Sequence, residues 1–134
     1  MPSILPGPAS SRDAIRLALQ SWPDIDHYLQ TCKGIIVPLG STEQHGPTGA
    51  IGTDALTAEA VALELGQLSG VLVTPVQAFG MAEHHLGFAG TMSLQPATLL
   101  AVMHDLVISL ATHGFERILV VNGHCLLYTS DAAD

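Results

Sequence analysis

Glu43, His45 and Asp54 stand close together in the run Gly40-Ser41-Thr42-Glu43-Gln44-His45-Gly46-Pro47, closed by Gly52-Thr53-Asp54. Glu43 and His45 are two apart, and Asp54 lies eleven after Glu43. Carboxylate oxygen and imidazole nitrogen suit Zn²⁺, Mn²⁺ or Fe²⁺, at about 2.0–2.2 Å for zinc. Two such ions about 3.5–4 Å apart can share a hydroxide and polarise a carbonyl. A fourth candidate ligand, His124, closes the triplet Asn122-Gly123-His124. Each residue also has a plainer use. Glu43 could be a loop carboxylate near a helix start, and His45 a solvated loop histidine. Asp54 could cap the following helix, a role compatible with ligation. His124 could bond locally at a strand end.

The elements that must position these residues are readable from apolar patterning. Residues 12–20 have helical spacing, and Ser21-Trp22-Pro23-Asp24 starts a second short helix through about Leu29. Ile35-Ile36-Val37-Pro38-Leu39 is apolar on both faces, as a central parallel strand requires, with Pro38 near its end. A helix is expected from Thr53 to about Gln67, then a strand over 71–76 and a loop rich in Gly and His over 77–92. Ser93 or Gln95 caps a long helix from Pro96, with apolar residues at 99, 100, 102, 103, 106, 107 and 110 and a stop at Gly114. A third strand, 117–122, ends in Gly123-His124. The order β-α-β-α-β predicts an α/β fold: three layers, α/β/α, with a mostly parallel central sheet. Functional groups in such sheets gather outside the carboxyl ends of the strands. The polar clusters 41–54, 81–91 and 122–124 each follow a strand.

Composition narrows the function classes. The 134 residues suffice for one domain. With 48% hydrophobic and 12% charged residues, much of the surface must be apolar or covered, as in an oligomer or part of a larger fold. A formal net charge of −8 argues against a nucleic-acid or anionic-membrane surface. No apolar run approaches a membrane span, and the first residues lack a signal-peptide pattern. Cys32 and Cys125 form no metal-type or redox-type pair, which suits a reducing cytoplasm.

The segment Val37 to Pro47 with Gly52-Thr53-Asp54 resembles the signature of the creatininase (creatinine amidohydrolase) family. His85-Leu86-Gly87-Phe88-Ala89-Gly90-Thr91-Met92-Ser93-Leu94 is similar to that family's His-x-x-Phe-Pro-Gly-Thr-x-Ser-Leu stretch. Asn122-Gly123-His124 resembles the start of its Asn-Gly-His-Gly-Gly-Asn stretch. The resemblance spans roughly residues 12–124. It implies a binuclear divalent-metal centre (zinc, manganese or iron) that hydrolyses a carbon–nitrogen bond of a small cyclic or linear amide. It assigns Glu43 and His45 to one metal each, Asp54 as the bridge and His124 as a further ligand. It also implies a homo-oligomer, often a hexamer, of chains nearly twice this length. His85 is a weaker candidate for orienting substrate or supporting the site. His84 and Glu83 are weaker still, and His27, His104 and His113 are expected on the surface.

Three departures from the pattern matter. Thr48 stands where many members have His, and Gly49-Ala50 replaces Leu-Pro. Ala89 replaces the usual Pro. Cys125-Leu126-Leu127 replaces the rest of the third motif, so the family's last ligating carboxylate has no counterpart. The chain therefore reads as a flexible leader over 1–11, a partial creatininase-like domain over 12–124 and a non-native tail over 125–134. Two functions follow from this reading: a metal-dependent amidohydrolase, or a catalytically incompetent metal-binding fragment. The glycines at 40, 46, 52 and 90 are expected to serve tight turns.

Overall fold

The computed structural model describes residues 5–125, so the expected tail lies outside the described residues except for Cys125. Three parallel strands form one sheet in the order β2-β1-β3, with β1 Gly34–Leu39, β2 Leu72–Val73 and β3 Arg117–Asn122. Helices α1 Trp22–Tyr28, α2 Thr53–Ser69 and α3 Pro96–Thr112 complete the domain. The three-layer expectation holds. Ile36 and Val73 face α2, where they pack with Ile15, Ala62 and Leu63. Ile35 and Leu72 face the other way, against Leu29 and Phe115, with Ile25 of α1 and Leu110 of α3 alongside. Alternate residues of β1 therefore feed two cores, which is why that strand is apolar throughout.

Several elements differ from expectation. Residues 12–20 form two short 3₁₀ turns, Asp13–Ile15 and Leu17–Leu19. Arg16 between them is extended (φ −78°, ψ 113°) and bridges Val73 in parallel. A backbone partner at the open edge of β2 thus overrides the helical spacing. β2 itself spans two residues rather than six. Thr74 N–H still donates to the Ile36 carbonyl, but Pro38 on β1 has no N–H for the next rung, and the chain rejoins β1 only where Gln77 N–H donates to the Pro38 carbonyl, each bond at 2.9 Å. Pro38 is tolerated in the central strand because that side of it faces this broken part of the ladder. α3 starts at Pro96 as expected, but Gln95 makes no side-chain cap and Ser93 Oγ accepts from Ala82 N–H instead. Only Leu99 of α3 is fully buried. The short β2 offers too little sheet to cover the rest of that apolar face.

The expected leader runs beside the end of α2: Gly7 and Ala9 N–H donate to the Ser69 and Gln67 carbonyls. Large apolar side chains remain exposed, including Trp22, Leu68, Leu100 and Leu119. Among the described residues β3 pairs only with β1, so its outer edge is open.

Tyr28 ties three elements together. Its hydroxyl donates to the Gly34 carbonyl at 2.8 Å and accepts from Leu72 N–H at 3.3 Å, and Cys32 Sγ lies 3.0 Å away. Burial first, and the Cys32 thiol second, raise the phenol pKa above its ordinary value. The raised folded value means that Tyr28 contributes stability fully below the unfolded pKa of about 10, and loses it as pH rises through the folded value. Tyr28→Phe leaves two backbone groups without their partner and is expected to cost about 1–3 kcal/mol. Urea unfolding at neutral pH measures this, and an unchanged midpoint would contradict the tie.

Candidate metal centre

The β1–β3 register places Leu39 beside Asn122, so Gly40-Ser41 and Gly123-His124 emerge side by side at the carboxyl ends of the strands. Gly123 N–H donates to the Leu39 carbonyl at 2.8 Å and Gly40 N–H to the Gln77 carbonyl at 2.9 Å. The first turn of α2 is wedged against both glycines. A Cβ at Gly40 would lie 2.4 Å from Ala55 Cα, and one at Gly123 would lie 2.4 Å from the Asp54 carbonyl oxygen. Gly40 therefore serves a close backbone approach rather than a tight turn. Gly46 and Gly90, at φ 79° and 88°, do occupy left-handed turns.

Four expected residues meet at this point. Glu43 and His124 are buried, at 5% and 2% exposure, in a chain whose polar residues mostly face water. Asp54 sits in the first turn of α2, whose N-cap is Gly52, so it is not the cap. Its two carboxylate oxygens face two different imidazoles. Oδ1 lies 2.9 Å from His45 Nε2, and Oδ2 lies 2.8 Å from His124 Nδ1. Glu43 Oε1 is 3.3 Å from the same His124 Nδ1.

Backbone carbonyls fix what each imidazole can offer. His124 Nε2 lies 2.7 Å from the Met81 carbonyl, and His45 Nδ1 lies 3.0 Å from the Glu43 carbonyl. A carbonyl only accepts, so each of these nitrogens carries a proton. The opposite nitrogens, His124 Nδ1 and His45 Nε2, are then the lone-pair positions of the neutral rings, and both point at carboxylate oxygens. Acceptors facing acceptors need a proton or a cation between them. The His45 pKa is raised, chiefly by its bond to the Glu43 carbonyl; burial opposes this, and the Asp54 carboxylate adds to the rise.

Glu43 Oε2 is buried with no hydrogen-bond partner. Ligand atoms of Glu43, Asp54 and His124 all lie within 4.8 Å of one another. A buried orphan oxygen and converging lone pairs are what a divalent cation would satisfy. The donor set fits a metal.

The surrounding loops hold these groups in place. Glu43 N–H donates to the Ile51 carbonyl, closing the loop between β1 and α2. Thr42 bridges Met92, and its hydroxyl donates to the Ala78 carbonyl at 2.8 Å. Asn122 clamps the turn that presents His124: its Nδ2 donates to the His124 carbonyl, and its Oδ1 accepts His124 N–H. Asn122, Gln44 and the Met81 carbonyl are site features beyond the expected ligands. The motif contained Asn122 and Gln44, but a backbone carbonyl leaves no trace in residue type. His85 stands at the rim, half-buried, with His84 and Glu83 exposed. His27, His104 and His113 are exposed on helices or a helix end, as expected. A cavity of about 630 Å³, lined by residues such as Gly34, Ile35, Arg117 and Ile118, opens at the other end of the strands and holds none of these ligands.

A family model described as Creatinine amidohydrolase matches residues 18–126. The chain is 34% identical over 95 residues to creatinine amidohydrolase of Pseudomonas putida, covering 67% of this chain and 36% of that protein. It is 38% identical over 96 residues to mycofactocin precursor peptide peptidase of Mycolicibacterium smegmatis, covering 67% of this chain and 38% of that protein. A solved mutant creatininase of Zn-Zn type superposes with a TM-score of 0.78 at 28% identity, over 87% of this chain and 47% of that one. The chain thus spans less than half the length of each of these proteins.

Proposed function

The chain belongs to the creatininase family, and from that premise we propose that it carries most of the donor set of a binuclear centre for hydrolysing a carbon–nitrogen bond in a small amide. The observation carrying this reading is Asp54, which offers one oxygen to each of two imidazoles whose other nitrogens are tied to backbone carbonyls. Glu43, Asp54 and His124 would hold one ion. His45 and Asp54 would hold part of a second, with Asp54 shared. Ions bound there supply Lewis acidity toward a carbonyl and acidify a water toward neutral pH.

The chain's own residues orient and shield. The carbonyls of Met81 and Glu43 keep the lone pairs of His124 and His45 aimed inward. The buried side, behind Glu43 and His124, excludes water, while the exposed loop over 46–50 leaves an open approach for a small substrate. The two relatives are named for creatinine and for a precursor peptide, and an amide bond is the chemistry common to both. Mixed oxygen and nitrogen donors suit zinc, manganese or iron. A homo-oligomer, hexameric as the family resemblance implies, is part of this proposal and is supported by the exposed apolar side chains. Among the described residues no helix is long and apolar enough to cross a membrane. Two free cysteines support a cytoplasmic setting.

One observation favours a second reading. Among the described residues the His45 position has only His45 and Asp54 as donors, whereas catalytic zinc sites use about three protein ligands. A chain with that donor set would hold one ion and turn nothing over.

The deciding experiment strips the chain with a chelator, reloads zinc or manganese, and assays creatinine and a short peptide. Hydrolysis is expected only with metal, and Glu43→Gln and His45→Ala should each lower both metal content and rate. One bound ion without turnover would favour the second reading. Unchanged metal content and activity in both variants would contradict both readings.

A further inference from the structure

At the rim of the site, Gln44 and His85 form a pair whose polarity the backbone sets. Gln44 Oε1 accepts Gly46 N–H at 2.8 Å. This fixes the amide orientation, because exchanging its oxygen and nitrogen would set two donors against each other. Gln44 Nε2 is then the donor in its 2.9 Å contact with His85 Nδ1. A ring nitrogen that accepts carries no proton, so the neutral imidazole has its hydrogen on Nε2. Gln44 is itself held from behind, its N–H donating to Thr91 Oγ1 at 3.1 Å. The His85 ring is braced by His84, with centroids 3.7 Å apart, and lies edge-on to Phe88 at 6.3 Å.

Distance alone would suggest another use. Glu43, His84 and His85 bring ligand atoms within 4.8 Å of one another and could hold an ion. The hydrogen bonds argue otherwise. One His85 nitrogen has its lone pair engaged by an amide proton, and the other bears a hydrogen, so neither is free for a metal.

We propose that Gln44 is a positioning residue that keeps His85 as a neutral Nε2–H donor, and that His85 gives this hydrogen bond to the carbonyl oxygen of an amide substrate instead of binding metal. The donor role rests on the amide-hydrolase reading; the tautomer does not. No proton is transferred: the histidine orients and polarises the carbonyl.

Long-range proton–nitrogen NMR of the ¹⁵N-labelled chain tests this, with the His85 signals assigned by their loss in His85→Gln. The expected spectrum has His85 Nδ1 unprotonated and Nε2 protonated, both unmoved when zinc is added, while the His45 and His124 nitrogens move. Gln44→Glu should move the proton to Nδ1, because a carboxylate only accepts. A His85 nitrogen that shifts on zinc addition, or a tautomer indifferent to Gln44→Glu, would overturn the proposal. A second arm adds N-methylacetamide to the zinc-loaded chain. The His85 Nε2–H signal should shift, and a response confined to other residues would overturn the donor role. No response anywhere would count against the amide-hydrolase reading, while the first spectra still decide the tautomer.

Discussion

Zinc is expected to raise the unfolding midpoint of this chain by roughly 10 °C, and Asp54→Ala is expected to erase that rise. A ligand that binds only the folded state stabilises it by about 2.7 kcal/mol at a free concentration of 100 times its Kd. For a domain of this size each kcal/mol is worth about 3–5 °C. Asp54 carries the largest share because it faces both imidazoles, through Oδ1 and Oδ2. Its removal takes a donor from each position at once. His45→Ala leaves Glu43, Asp54 and His124 together, so most of the zinc-induced rise should survive. His104→Ala, on an exposed helical residue beside Asp105, should keep all of it. Comparing each variant with and without zinc separates metal binding from any change in the metal-free midpoint. Equal rises in the wild type and in Asp54→Ala would mean that zinc binds elsewhere.

The second large effect is steric. Gly40→Ala and Gly123→Ala are each expected to cost about 3 kcal/mol or more, the upper end for overpacking. The obstructing atoms belong to backbone: Ala55 Cα and N at 2.4 and 2.5 Å for Gly40, and the Asp54 carbonyl oxygen at 2.4 Å for Gly123. Backbone in a helix cannot rotate aside as a side chain can. α2 must therefore lift from the strand ends, and Asp54 moves with it. Stability and zinc affinity should fall together. Gly87→Ala is the control, since no atom lies within 4 Å of its added Cβ, and it should change stability by no more than about 0.5 kcal/mol. Urea midpoints of the three variants check this. A wild-type midpoint in Gly40→Ala would refute the close approach of α2 to β1.

The strand and helix order was legible because β1 and β3 are continuous apolar runs bounded by Gly and polar residues, and α2 ends at Gly70 in the left-handed region (φ 75°). Period and punctuation are local, and so are readable. What failed depends on distant partners. Arg16 pairs with Val73, so helical spacing around it became two 3₁₀ turns. Six strand-like residues shrank to Leu72–Val73 because Pro38 on the neighbouring strand has no N–H to continue the ladder.

The same division runs through the candidate site. Glu43, His45 and Asp54 stood out by residue type and spacing, the family resemblance added His124, and the β1–β3 register brings His124 to the others. The tautomers could not be read this way, because they are set by the Met81 and Glu43 carbonyls, and carbonyls are common to every residue. Gly123 likewise looks like any turn glycine until α2 is laid against it.

In the proposed centre Asp54 would be shared between two ion positions. Elemental analysis combined with calorimetric zinc titration of the wild type, Asp54→Asn and His45→Ala tests it most directly. Zinc should bind the wild type at a tight site and at a weaker one. His45→Ala should lose only the weaker event, and Asp54→Asn should weaken both. If Asp54→Asn keeps the wild-type titration, or if His45→Ala abolishes the tight event, the shared-carboxylate account is wrong.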